Sequence, residues 1–227
     1  MGRTARQIPL PFRSRGGRRP NAGRKQTRPG RPCVPHRARP AHRAAYPVHV
    51  TLRARAGLPP LRDSGIFAEM RAAIRGANRS PAVGEAFRVV QFSVQNDHVH
   101  LVVEAADKDV LSRGLRGLAV RLARAIGRAL ATPGRVWGDR YHARALTTPR
   151  AVRNALVYVL LNARKHGVRL PSGVDRFSSA PWFDGFARRT APREDASPVR
   201  SARTWLATVG WRRRGLVHPD ERPRAPD

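Results

Sequence analysis

The chain has 227 residues, 41% of them hydrophobic, and a formal net charge of +30 from 45 Lys and Arg against 15 Asp and Glu. That length holds one domain with extensions or two small ones, and so large a positive charge selects polyanions as partners, because neutralising phosphates releases condensed counterions. The one cysteine, Cys33, excludes an internal disulfide, and no apolar run approaches the ~18 residues of a membrane span.

Residues 1–45 carry 13 basic side chains and no acidic one. The repeated Arg, Pro and Gly of "RSRGGRRPNAGRKQTRPGRP" cannot bury enough apolar area to offset the entropy of ordering, so this arm is expected to be disordered. "RPGRP" suits a hook in an AT-rich minor groove, and the segment reads equally as a solvated basic tail. The opening "MGRTARQIPLPFRSRGG" lacks the continuous apolar stretch of a secretory signal, so an intracellular location is expected.

From Tyr46 the pattern becomes that of a folded domain. "YPVHVTLRA" alternates, with Val48, Val50 and Leu52 on one face and His49, Thr51 and Arg53 on the other, as in a half-buried strand. "SGIFAEMRAAIRGAN" has helical spacing, with Ser64 as N-cap and Asn78 near its end. "EAFRVVQFSV" predicts a second strand with Val90, Phe92 and Val94 on one face. "QND" supplies a turn and "HVHLVVEA" a third strand, so the two make a hairpin. "DKDVLSRGLRGLAVRLARAIGRAL" predicts a long amphipathic helix with Arg113, Arg116, Arg121, Arg124 and Arg128 on its exposed side. "YHARALT" predicts a short fourth strand. A last helix follows over "TPRAVRNALVYVLLNARKHGV", capped by Thr148, with Pro149 at its first position and Gly167 as its stop. The order β-α-β-β-α-β is the split βαβ arrangement of an α+β, ferredoxin-like antiparallel sheet, and the last helix is an addition that carries Tyr158. Three regions result: a basic arm at 1–45, one domain at 46–170, and an irregular extension at 171–227 with a short helix expected near "SARTWLATVGWRRRG".

Two patterns in this domain carry chemistry. In the third strand, His98 and His100 lie two residues apart, so they project in parallel from one face with Cα atoms roughly 7 Å apart. His49, Thr51, Gln91, Ser93 and Gln95 share that face. Spacing alone fits two surface histidines as well as two ligands of one ion. In the last helix, Tyr158 and Asn162 are stacked four residues apart, beside an apolar stripe and with Asn154 and Lys165 on a polar margin. That pair fits an amphipathic tyrosine at the core edge, and it also fits a nucleophile next to a metal ligand.

"NDHVHLVVE" resembles the His-hydrophobic-His signature of the HUH single-tyrosine transposases, where "PNHVHLLV" is common. "YVLLN" is similar to the "YIxLNP" of their REP-associated branch, "RVWGDRYHARAL" to its "LWxGRYKSxLV", and "TWLATVGWRRRG" to a C-terminal "SWLLREGWRRHG". With "YPVHVTLRA" resembling the first strand, five matches stand in order and cover roughly residues 46–170 plus the tail element. The chain departs from the pattern in having Ala163 where proline is usual, and in placing Asp97 between Asn96 and His98.

The resemblance implies a ferredoxin-like nuclease domain in the bacterial cytoplasm, acting on single-stranded DNA next to a hairpin. His98, His100 and Asn162 would hold Mg²⁺ or Mn²⁺, and Tyr158 would attack the phosphorus to form a 5′-phosphotyrosine link. Arg140, Arg121 and Arg124 would track the backbone, while Trp137 and Tyr141 would stack on bases; core packing is the other reading of Trp137. A homodimer is one assembly it allows. Two other readings compete. Two-histidine phosphoesterases match "HVT" at 49–51 but not "HVH" at 98–100, and they need no tyrosine. A basic nucleic-acid-binding module derived from a transposase, without catalysis, needs neither histidine.

Overall fold

The computed structural model describes residues 41–80, 85–131, 134–165, 167–168, 170, 173–188 and 195–223; the basic arm before residue 41, with its "RPGRP" hook, lies outside them. In chain order the regular elements are β1 (Val48–Arg53), α1 (Ser64–Arg79), β2 (Phe87–Val94), β3 (His98–Ala105), α2 (Lys108–Ala129), β4 (His142–Ala145), α3 (Pro149–Leu160) and α4 (Asn162–Lys165). The four strands form one sheet in the order β2-β3-β1-β4, every neighbouring pair antiparallel. β3 therefore lies between β1 and β2, which run parallel to each other. That is the split βαβ topology expected from the sequence.

The apolar alternation of β1 and β3 puts Val48, Val50, Leu52, Val99, Leu101 and Val103 on one face, where α1 and α2 pack with Met70, Ile74, Leu115, Leu118 and Leu122. The close approach of α2 to β2 requires Gly114, since a Cβ there would lie 2.4 Å from the Phe87 ring. β2 departs from simple alternation. A bulge between Val89 and Gln91 leaves Val90 as an extra residue. Val89, Phe92 and Val94 then face α1 and α2, and Val90 turns to the opposite face instead of sharing theirs.

Local signals also differ from expectation in α1. Its cap is Asp63, not Ser64: the carboxylate accepts from the Gly65 and Ile66 N–H groups at 2.8 and 3.0 Å. Asn78 lies near the end of the helix, as expected. Its buried amide bonds the Val89 N–H and carbonyl and the Pro198 carbonyl, which ties α1 to β2 and to the C-terminal segment.

The second face of the sheet is covered by α3 and by the C-terminal extension. Val90 and Val102 meet Val152, Leu156, Val159 and Leu160 of α3. Behind α3 lie Phe183, Phe186, Leu206, Val217 and Trp211, the last stacked on Phe183 at 5.6 Å. The helix expected near 201–215 is a π-helical turn at Leu206–Gly210 followed by a 3-10 turn at Trp211–Arg214. Polar anchors hold this segment. Glu104 accepts from the Arg203 and Thr204 N–H groups and the Thr204 hydroxyl at 2.8, 2.9 and 2.8 Å. Arg62 grips the buried Asp175 in bidentate fashion, both contacts 2.8 Å. All eight residues of β3 are buried as a result.

Candidate metal and nucleophile site

The sequence reading puts His98 and His100 on a polar sheet face. They do share a face, but that face is buried rather than open, because α3 lies across it. Period two aims both rings the same way, and their Nε2 atoms stand 2.9 Å apart. Two ligands at right angles around one ion, each at about 2.1 Å, would be about 3.0 Å apart. An N–H···N hydrogen bond gives the same separation.

Neighbouring side chains hold each ring. Asp97 accepts a hydrogen bond from His98 Nδ1 at 2.6 Å. Its other oxygen lies 3.5 Å from Arg53, which stands directly across the ladder from His98. With its Nδ1–H given to a carboxylate, His98 presents the Nε2 lone pair towards His100. Burial raises the Asp97 carboxyl, but the hydrogen bond and charge of His98, with the charge of Arg53, outweigh it and hold the group below the usual carboxylate range.

His100 Nδ1 lies 3.1 Å from the Thr51 hydroxyl and 3.3 Å from His49 Nε2. Sequence reasoning placed His49 on this face without a role. Register joins the two: β1 pairs with β3 so that Thr51 opposes His100 and His49 is the next same-face residue along. Burial first, then the charges of His142 and Arg144, lower the His49 pKa to about 4, so it is a neutral imidazole near pH 7.

α3 brings Tyr158 to the same place. Its ring lies edge-on to His100 and to His49, with centroids 5.0 and 5.8 Å apart, all within one chain. The Lys165 ammonium lies 5.0 Å from the Tyr158 ring centroid. The helix expected to run unbroken past Asn162 instead ends at Leu160 and restarts at Asn162, with Gly167 at a positive φ of 73° after it. Asn162 is therefore not on a polar margin with Asn154. It is 0% exposed, and neither its Oδ1 nor its Nδ2 has a hydrogen-bond partner among the described residues. An amide buried in this way costs about 1–3 kcal/mol for each unsatisfied group.

Two imidazole nitrogens thus stand at a spacing that suits one divalent ion, and the element after Tyr158 carries a buried amide without a hydrogen-bond partner among the described residues. Imidazole favours Mn²⁺ over Mg²⁺, which prefers oxygen. Among the described residues no group of three or more His, Cys, Asp or Glu is arranged to hold a metal.

The other singled-out residues lie elsewhere. Trp137 and Tyr141 pack at the edge of the core beneath α2, and the Trp137 indole N–H donates to the Ala119 carbonyl at 2.8 Å. Together with Arg140, Arg116 and Val120 they line a cavity of about 820 Å³. Arg121 and Arg124 are exposed on α2. These residues belong to the side of the sheet away from Tyr158.

No family model and no curated protein matches the chain. Among solved structures it is similar to a REP-associated tyrosine transposase bound to a REP hairpin, with a TM-score of 0.52 and 21% identity over 64% of this chain and 82% of that one. A more distant likeness, with a TM-score of 0.33 and 18% identity over 52% of this chain and 84% of the other, is to a structure described as a "putative transposase" from Deinococcus radiodurans. The first likeness shows the fold, which is the one expected from the sequence.

Proposed function

We propose that the chain is an HUH single-tyrosine transposase that cleaves and rejoins single-stranded DNA beside hairpins through a 5′-phosphotyrosine link. The observation that carries this reading is the packing of Tyr158 against His100, whose Nε2 stands 2.9 Å from that of His98, with the buried Asn162 amide, which has no hydrogen-bond partner among the described residues, on the element that follows. A net charge of +30 and the fold shared with a hairpin-bound transposase support DNA as the substrate.

In the reaction, Tyr158 Oη attacks the scissile phosphorus and gives up its proton. The bond from phosphorus to the 3′ oxygen breaks, and that oxygen takes up a proton and leaves as a free 3′-OH. A second 3′-OH later attacks the phosphotyrosine, which restores the phosphodiester and Tyr158 without ATP. His98 Nε2, His100 Nε2 and Asn162 Oδ1 would hold Mg²⁺ or Mn²⁺, which supplies Lewis-acid polarisation of the phosphate. Asp97 and Thr51 orient the two imidazoles. Lys165 brings a positive charge to the tyrosine that must meet an anion. Tyr158 would act with the histidines of its own chain, against which it packs.

The test is a covalent trap. Labelled single-stranded hairpin DNA, protein and Mn²⁺ are mixed and denatured; an adduct is expected that disappears with EDTA and in Tyr158→Phe. DNA retention in a native gel without any adduct would instead identify a binding module without catalysis.

A further inference from the structure

A second cavity, of about 260 Å³, opens between β4 and the first turns of α3, with His49, Arg144, Thr148, Arg150 and Asn154 among its lining residues. Arg144 sits directly across the β1–β4 ladder from His49, so the two side chains leave the same face of the sheet. Arg150 and Asn154 are four residues apart and share a face of α3. Many arginines of this protein are neutralised, among them Arg62, Arg71, Arg153, Arg164 and Arg203. Arg144 and Arg150 have no ion-pair partner among the described residues, although both line a cavity. Two unneutralised guanidinium groups, an amide and the positive end of a 12-residue helix thus converge on one small space. The wall they share with the candidate nuclease centre is His49, which touches His100 and packs edge-on to Tyr158.

We propose that this cavity is a phosphodiester subsite, holding a backbone phosphate of the single strand that flanks the one attacked by Tyr158. The proposal rests on the reading above for the identity of the neighbouring centre. β4 lies two strands from β3, about 10 Å across the sheet, which puts the subsite beside the scissile phosphate and not upon it. Arg144 and Arg150 each offer a planar fork that matches phosphate oxygens, and the Asn154 amide can donate a further bond. The subsite fixes the direction in which the strand crosses the tyrosine. It reads no base, because phosphate contacts set register and not sequence.

The experiment uses the full chain and a set of single-stranded oligonucleotides, each with one neutral methylphosphonate at a different linkage. Binding is measured by fluorescence anisotropy in EDTA, so that no chemistry is needed. The expected result is a loss of about tenfold or more at one linkage near the cleaved bond with the wild-type protein. Arg144→Gln/Arg150→Gln should bind the unmodified strand weaker by a similar factor, with a reduced salt slope, and should be indifferent to that methylphosphonate. Arg144→Lys, which keeps the charge and loses the fork, should fall between the two.

A double variant that still responds to the same linkage, or that folds with wild-type affinity for the strand, would overturn the proposal. So would inorganic phosphate bound in the cavity at millimolar concentration by ³¹P line broadening while no single DNA linkage matters, since the cavity would then serve a free anion. Adduct formation on the unmodified strand is followed in parallel. No adduct together with an intact linkage effect sinks the nuclease reading and leaves the phosphate site. An adduct with no linkage effect sinks the phosphate site alone.

Discussion

Under α1 and α2 the sheet presents Val50, Phe92, Val99 and Leu101, each 0% exposed. Under α3 the same strands present His49, Ser93, His98, His100 and Glu104, each no more than 9% exposed. Depth is nearly equal on the two faces; chemistry is not. The first face is held by area removed from water, at roughly 25 cal/mol per Å². The second is held by groups that lose stability when buried and recover it only through specific partners: Asp97 and His100 for His98, Thr51 for His100, two backbone amides and a hydroxyl for Glu104. The proposed function rests on this contrast. A protein that needed only a core on this side could have used valine at 98 and 100, as it does at 102.

Breaking the apolar face has the largest expected effect on stability. Phe92→Ala removes a fully buried ring and should lower unfolding free energy by about 3–5 kcal/mol in a urea titration. Glu104→Ala challenges the polar face at the point where the C-terminal segment is anchored. It strands the Arg203 and Thr204 donors and leaves Arg88, 3.8 Å away, without its carboxylate. A loss of about 3 kcal/mol is expected there too, with residues 195–217 becoming protease-sensitive first. A loss below about 1 kcal/mol would mean that the polar face tolerates its contacts without depending on them.

Titration sharpens the difference. The His49 pKa is about 4 in the folded protein against 6.5 as its ordinary value, so the unfolded chain binds a proton that the folded one refuses. Its contribution is therefore fully present above about pH 6.5 and is lost as pH falls from there towards 4, for a total of about 3 kcal/mol. In metal-free protein, thermal melts across that window should show this decline, and His49→Gln should flatten it.

A smaller effect is expected from Asp97→Asn, because Asp97 is more than half exposed and its pairing with Arg53 is a surface one. The melting temperature should barely change. Mn²⁺ affinity, followed by calorimetry, should fall about 10- to 100-fold, since the amide no longer holds His98 in the tautomer that presents Nε2.

Strand order, hairpin and helix faces were legible because β1 and β3 keep their alternation and turn residues separate the elements. The His98–His100 pair was legible as a candidate for the same reason, a period of two that puts both on one face, and Tyr158 and Asn162 by their spacing of four. Four things escaped, each for a physical cause. The bulge at Val90 inserts one residue, and counting by twos cannot register it. The burial of the histidine face depends on residues such as Phe183 and Trp211, which sit in irregular structure without periodicity. His49 became part of the site through the β1–β3 register, which no local pattern specifies. Asn162 was placed on a polar margin because a helix period was carried across Leu161, where the helix in fact breaks.

The most direct measurement is the site of covalent attachment. The chain has three tyrosines, Tyr46, Tyr141 and Tyr158. After reaction with hairpin DNA and Mn²⁺, nuclease trimming and peptide mass spectrometry should find a nucleotide joined through its 5′-phosphate to Tyr158. Attachment at Tyr141 or Tyr46, or DNA bound and released without any modified tyrosine, would contradict the claim that the buried polar face is a nuclease centre.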